Sequence, residues 1–340
     1  MHFGDWMILL LLGGVCLAVI VLTGVMRKHA LRRNLIDFPN ERSSHMVPTP
    51  TGGGMAVVLS TVVGLVLLWA WEGLPVSAMI GLLGGGLLIA GIGYLDDRRE
   101  IPAGRRLLVH FLAAALLVAC VGPLPPLPFF GMELSLGLVA SVLAVPVVVW
   151  GLNLYNFMDG IDGIAGIEGV TVYGCAALLL LIDGQPVWAG VTALFAAATL
   201  GFIPWNWPPA RIFMGDGGSG FLGFSFGALM LVTFVEAGFP VWTWLILLGV
   251  FIVDATVTLL HRMLRGEQWY RAHRHHAYQH ASRELGSHLP VTLATAAINL
   301  LWLFPLAWAA VWQPHWGPGL LLIAWLPLFL LALRFRAGFP

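Results

Sequence analysis

The chain has 340 residues, of which 59% are hydrophobic and 10% charged, with 17 Lys and Arg balanced by 17 Asp and Glu. That composition excludes an ordinary soluble domain, a disordered chain and a basic nucleic-acid binder. Apolar runs near the ~20 residues needed to cross a bilayer recur from end to end, so the sequence predicts an all-α, polytopic integral membrane protein rather than a barrel of alternating strands.

Eleven spans are predicted, at residues 6–26, 53–71, 76–94, 106–122, 133–152, 166–182, 187–204, 219–235, 241–261, 290–311 and 318–333. The first has no basic segment before it and no small-residue cleavage site after it, so it reads as a retained span. Cys16, Cys120 and Cys175 all fall inside apolar runs and read as small buried hydrophobes. Every Lys and Arg lies in alternate connections or in the tail, and the intervening connections are short and acidic or neutral. The positive-inside rule then predicts an N-terminus outside and a C-terminus in the cytoplasm. No linker and no transporter-like repeat interrupts the pattern, so residues 1–340 are expected to form a single transmembrane domain. Its cytoplasmic loops are 27–52, 95–105, 153–165, 205–218 and 262–289.

Loop one carries Asp37-Phe38-Pro39-Asn40-Glu41-Arg42-Ser43-Ser44-His45 and then Pro48-Thr49-Pro50-Thr51-Gly52-Gly53-Gly54. Glycines at a helix start expose N–H groups that could meet an anion, and they equally suit close packing. Loop two places Asp96 and Asp97 at a span end, where carboxylates bind a cation, pair with arginine or exchange a proton. Loop three is Asn153-Leu154-Tyr155-Asn156-Phe157-Met158-Asp159-Gly160-Ile161-Asp162-Gly163. Asn156 and Asp159, three apart, share a helix face as oxygen ligands for a hard cation such as Mg²⁺, and Asp162 could cap the next helix. Loop four sets Asp216 among glycines in Phe213-Met214-Gly215-Asp216-Gly217-Gly218-Ser219, as a metal ligand or, with Ser219, an N-cap. Loop five holds Arg271, His273, Arg274, His275 and His276. These side chains suit a diphosphate, a headgroup belt or, less well at this spacing, zinc.

Together these loops supply carboxylates and an amide for a metal, glycine N–H groups, and Arg and His donors. Those are the parts of a phosphoryl-transfer site, placed where a lipid substrate has access. The motifs DFPNERSSH and PTPTGGG, YLDD, NLYNFMDGIDGIAG, FMGDGGSGFLG and RAHRHH occur in order over nearly the whole chain. They resemble those of the polyprenyl-phosphate N-acetylhexosamine-1-phosphate transferases of glycosyltransferase family 4.

The resemblance implies a bacterial inner-membrane enzyme with its active site facing the cytoplasm. It would move a sugar 1-phosphate from a UDP-N-acetylhexosamine to undecaprenyl phosphate and release UMP. It implies that Asn156 and Asp216 hold Mg²⁺, with Mn²⁺ as a substitute, and that Asp96, Asp97 and Asp159 serve catalysis. Gly53, Arg271, His273, His275 and His276 would contact the substrates, and Asp254 would be structural. Thr51-Gly52-Gly53 and the interrupted His-Arg-His-His are more similar to the branch that initiates O-antigen and related surface polysaccharides. The peptidoglycan-precursor branch, phospho-N-acetylmuramoyl-pentapeptide transferase, remains the alternative. A secondary transporter is the alternative from another class, although its ionisable groups would sit nearer the bilayer midplane. The bilayer is the expected surrounding, no nucleic-acid partner is expected, and the oligomeric state is open, a homodimer included.

Overall fold

The computed structural model describes residues 3–39, 44–99, 101–267 and 273–339. Among them the chain forms helix α1 (Phe3–Arg33), strands β1 (Ile36–Asp37) and β2 (Thr49–Pro50), and helices α2 (Gly54–Glu72), α3 (Val76–Met79), α4 (Gly85–Arg99) and α5 (Ala103–Val121). A hairpin of β3 (Leu127–Phe129) and β4 (Met132–Leu134) precedes α6 (Leu138–Met158), α7 (Ile164–Ile182), α8 (Pro186–Asn206) and α9 (Asp216–Ala237). The last elements are α10 (Val241–Leu247), α11 (Gly249–Leu264), α12 (Ala277–Glu284), α13 (Leu289–Ile298), α14 (Phe304–Trp312) and α15 (Gly317–Arg334). A π turn joins α3 to α4 and another joins α13 to α14, so each pair runs as one long helix. Among the described residues ten helices are long and apolar enough to cross a membrane, which makes the protein a multi-pass membrane protein.

The predicted span at 241–261 is not one straight helix. It is the pair α10 and α11, bent by 74° at Leu248, and it makes the count eleven if taken as one broken span. An apolar run tells hydropathy nothing about direction, so the bend was invisible in the sequence. The break would strand the Leu245 carbonyl, and an unpaired carbonyl in hydrocarbon costs several kcal/mol. Trp325 of α15 answers it, its indole Nε1 donating to Leu245 O at 3.2 Å.

α9 is the central helix, buried along nearly its whole length. Its glycines let neighbours approach to backbone contact. A Cβ on Gly218 would lie 2.5 Å from the Cα of Gly54, so α2 crosses α9 where neither carries a side chain. Buried tyrosines fasten the bundle without leaving a polar atom unpaired: Tyr155 donates to Ala165 O and Tyr173 to Leu222 O, each at 2.6 Å. Deeper in, Glu168 of α7 accepts from Asn299 Nδ2 at 2.7 Å, tying α7 to the turn after α13. The outward faces carry exposed leucines such as Leu10, Leu138 and Leu301, as a lipid-facing surface should.

The loops with the polar motifs gather at one end of the bundle. β1 pairs antiparallel with β2, Ile36 opposite Pro50 and Asp37 opposite Thr49. Beyond β2 the chain zips onto loop four: Phe213 N donates to Pro50 O, Gly53 N to Phe213 O and Gly54 N to Met214 O, all within 2.9 Å. We expect this end to face the cytoplasm, with the N-terminus outside, from the one-sided placement of all 17 basic residues. Reporter fusions after Asp183 and after Arg336 are therefore expected on opposite sides of the membrane; the same side for both would overturn the orientation.

Candidate active site

The site is built on the N-terminus of α9. The four leading N–H groups of a helix need acceptors, and neither Asp216 nor Ser219 caps its own helix. The cap comes from α4. Asp97 Oδ1 accepts from Asp216 N at 2.9 Å and Oδ2 from Gly217 N at 3.4 Å, a carboxylate against the positive end of a helix dipole. Gly93 makes this possible, since a Cβ there would lie 2.5 Å from the Asp216 carbonyl. Gly215, at φ +78°, turns the chain into the helix beneath the Asp97 carboxylate.

With the backbone of Asp216 fixed, its side chain is held from two sides. Asn156 Nδ2 donates to Asp216 Oδ1 at 3.0 Å and to Ser219 Oγ at 2.9 Å, bonds that leave the Asn156 amide oxygen unengaged. Arg106 Nη1 pairs with Asp216 Oδ2 at 3.1 Å and makes a still closer contact with Asp96 Oδ2. Asp96 Oδ1 accepts from Ile101 N at 2.6 Å. The adjacent carboxylates of loop two thus diverge. Asp97 organises α9, and Asp96 holds a guanidinium against Asp216.

Asp159 follows the last residue of α6 and faces a polar cavity of about 630 Å³ with Asp97, Asn156, Asp162, Asp216 and Ser219. Desolvation raises its pKa well above the ordinary carboxylate range, and the charges of Asp216, Asp97 and Asp162 add to the shift. That shift favours the protonated carboxyl over the carboxylate at this position. Asp162 does not cap α7. The N–H of Gly163 at that helix start is satisfied by Asn206 Oδ1 at 2.9 Å, while Asp162 Oδ2 accepts from Ala210 N at 3.0 Å and lies 3.3 Å from His288 Nδ1.

On the membrane side, a second cavity of about 650 Å³ runs between α4, α5, α6 and α11. Its walls include Ile89, Leu107, Phe111, Val149, Trp150 and Leu259, and its polar end carries Arg106, His110 and Asn153. Asn156 and Asp216 line both cavities, so the water-facing and lipid-facing spaces meet at these two side chains.

Other sequence-predicted residues fall elsewhere. The N–H of Gly53 donates to Phe213 O, and a Cβ there would lie 2.8 Å from the Phe202 ring, so packing accounts for the glycine. His276 is buried, with Nδ1 3.2 Å from Asp254 Oδ1. Asp254 also accepts from Ala277 N and Tyr278 N at 2.9 Å each, and so anchors the start of α12. His273 stacks on His276 with ring centroids 4.9 Å apart, and the backbone of His275 binds Gly338 N. None of these three histidines lines the polar cavity. Arg271 lies outside the described residues. The cavity wall instead recruits His45, Gln279 and His288, which sequence reasoning missed. His45 was in view within the first motif; His288 had only one signal, a histidine where a helix start prefers Ser or Asp.

The donor set suits a hard cation. Asp216 and the amide oxygen of Asn156 offer oxygen donors of the kind such a cation takes, and Arg106 shows that Asp96 and Asp216 converge on positive charge. Among the described residues no three His, Cys, Asp or Glu side chains converge tightly enough to hold a metal by themselves.

The profile of the family described as "Glycosyl transferase family 4" matches residues 79–234, which contain both loop two and the α9 N-terminus. A Bacillus subtilis (strain 168) protein named "Probable undecaprenyl-phosphate N-acetylglucosaminyl 1-phosphate transferase" is 30% identical over 253 residues, covering 73% of this chain and 70% of that protein. The "Decaprenyl-phosphate N-acetylglucosaminephosphotransferase" of Mycobacterium tuberculosis (strain ATCC 25618 / H37Rv) is 33% identical over 226 residues, covering 61% of this chain and 55% of its own length. A "Phospho-N-acetylmuramoyl-pentapeptide-transferase" of Synechococcus sp. (strain RCC307) is 31% identical over 271 residues, covering 74% and 72%. Matches of this extent across the segments that build the site place the chain in glycosyl transferase family 4.

Proposed function

We propose that the protein transfers an N-acetylhexosamine 1-phosphate group from a UDP-sugar to undecaprenyl phosphate. The observation that carries this reading is the meeting of a polar and an apolar cavity at Asn156 and Asp216. A soluble nucleotide-sugar and a membrane-bound acceptor need such a junction; a soluble enzyme or a passive scaffold does not. The names of the relatives support the same chemistry.

The lipid enters through the apolar cavity with its phosphate toward Arg106 and His110. A phosphate monoester has its second pKa near ~6, so it is largely dianionic at neutral pH and needs no strong base. One of its oxygens attacks the β-phosphorus of the donor. The bond from that phosphorus to the bridging oxygen breaks, and UMP leaves with the electron pair. Asp96 orients Arg106 on the acceptor side, Asp97 fixes Asp216 through the α9 backbone, and Asp159 lines the cavity that takes the donor. Asp216 and Asn156 would hold Mg²⁺ or Mn²⁺, which when bound offsets charge on the leaving phosphate.

We assign the product to initiation of O-antigen or a related surface polysaccharide at the cytoplasmic face of the bacterial inner membrane. The interrupted His273-Arg274-His275-His276 favours this branch. A second reading, transfer of a phospho-N-acetylmuramoyl-pentapeptide, is favoured by the relatives of that name.

Purified protein supplied with undecaprenyl phosphate and a panel of UDP-sugars is expected to release UMP from a UDP-N-acetylhexosamine and not from the muramoyl-pentapeptide donor. UMP from the latter alone would exchange the first reading for the second, and none from any donor would remove both. Direct displacement further predicts that enzyme freed of lipid does not exchange labelled UMP into the donor, and that added undecaprenyl phosphate restores exchange. Exchange without lipid would instead require a covalent sugar-phosphate enzyme and ping-pong kinetics.

A further inference from the structure

Outside the reacting centre, one residue ties three of the loops together. His288 stands at the N-cap position of α13, where a cation opposes the helix dipole and Ser, Thr, Asp or Asn is preferred. Its two ring nitrogens reach different loops. Nδ1 lies 3.3 Å from Asp162 Oδ2 in loop three, and Nε2 lies 3.2 Å from the carbonyl of Ser44 in loop one. Thr292, one turn along α13, donates to Asp162 O at 2.9 Å. Asp162 in turn accepts from Ala210 N at 3.0 Å, in the segment that leads to Asp216. His288 and Asp162 line the polar cavity and also a second, neighbouring cavity of about 530 Å³, so the pair stands in the wall between the two.

We propose that His288 is a positioning residue for the nucleotide-sugar: its ring bridges Asp162 and Ser44 and holds the segment from Ser44 to Thr51 against the polar cavity. The inference rests on the proposed reading of that cavity as the donor site. Only the doubly protonated ring donates to both oxygens. A neutral ring that keeps its hydrogen on Nε2 for Ser44 offers Nδ1 as an acceptor, and the N–H of Asp162, 3.2 Å away, is placed to use it. The bridge therefore persists with a neutral ring, and protonation adds the attraction of the Asp162 carboxylate 3.3 Å away.

The energetics agree with the geometry. Burial pushes the imidazole pKa down, but the hydrogen bond and charge of Asp162 and the Ser44 carbonyl outweigh it, and the net shift is upward. A raised folded pKa means that this attraction is fully present below the ordinary histidine value of about 6.5. It is lost as pH rises through the raised value. Among the described residues, the other titratable or charged groups on the two shared cavities are Asp37, His45, Asp97, Asp159 and Asp216 on one side, and His45 and Arg283 on the other.

The test uses full-length protein in nanodiscs, with UMP as the probe and two independent readouts. UMP affinity by calorimetry is expected to weaken about tenfold in His288→Ala. In the wild type it should fall as pH rises from about 6 to 9, and in His288→Asn, which hydrogen-bonds but cannot ionise, it should lose that slope. Amide hydrogen exchange of residues 44–52 should follow the same pattern, protected at low pH in the wild type and unprotected throughout in the variants, with α7 unchanged as the folding control. Unchanged UMP affinity in both variants overturns the proposal, as does lost protection with affinity retained, which would make the bridge structural only. A wild type that binds no UMP removes the donor reading of the cavity and this inference with it. Wild-type binding with indifferent variants removes the inference alone.

Discussion

Asp216→Asn is expected to lower kcat/KM by roughly a thousandfold or more, which corresponds to about 4 kcal/mol of transition-state stabilisation. The substitution keeps the shape of the side chain and one acceptor for Asn156, and it leaves the backbone N–H that Asp97 caps untouched. What it removes is the charge at the point shared by both cavities. The protein should therefore fold and insert normally while turnover collapses, and the remaining activity should respond weakly to added Mg²⁺. UMP release from wild type and variant, with and without EDTA, decides the matter. Near-normal turnover of a well-folded variant, or full wild-type activity in excess EDTA, would end the metal assignment.

Arg106→Ala carries the second largest expected effect, roughly a hundredfold loss in kcat/KM, or about 2.7 kcal/mol. Its guanidinium bridges Asp96 and Asp216, and removing it leaves two carboxylates facing one another with no cation between them. It also strips the polar end of the apolar cavity of its charge. The loss should fall on the lipid substrate, raising KM for undecaprenyl phosphate more than KM for the UDP-sugar. Arg106→Lys should recover part of the activity, because both carboxylates meet the single nitrogen Nη1, whose place a shorter ammonium fills less closely. A headgroup role would make Arg106 equivalent to Arg98 and Arg99, so equal and mild effects at all three positions would refute the bridge.

The parts of this site were legible in the sequence because hydrocarbon tolerates so few polar residues. Asp96, Asp97, Asn156, Asp159 and Asp216 stood out at the ends of apolar runs, and the structure gathers the segments that carry them. What the sequence could not show was which group faces which. Asp97 and the backbone N–H it caps are 119 residues apart, and no local pattern distinguishes that bond from a surface ion pair with Arg98. The resemblance likewise assigned the histidines of loop five to the substrates without revealing that Asp254, 22 residues earlier, draws His276 inward. Gly53 misled in a different way. A glycine run before a helix has the same spelling whether it meets a phosphate or a neighbouring loop, and here the Phe213 carbonyl takes the N–H.

The 74° bend between α10 and α11 bears on which carriers the enzyme can use. Leu259, past the bend, forms part of the wall of the apolar cavity, so the tilted helix borders that space. A space of about 650 Å³ is the size that encloses a drug-sized molecule, and a long polyprenol cannot fit inside it. Only the units next to the phosphate are enclosed, and the rest of the chain stays dissolved among the acyl tails. Carrier selection is thereby confined to the headgroup end. Because the tail never leaves its solvent, turnover carries no extraction penalty that grows with each added isoprene, and the glycosylated carrier departs sideways into the same leaflet that delivered it.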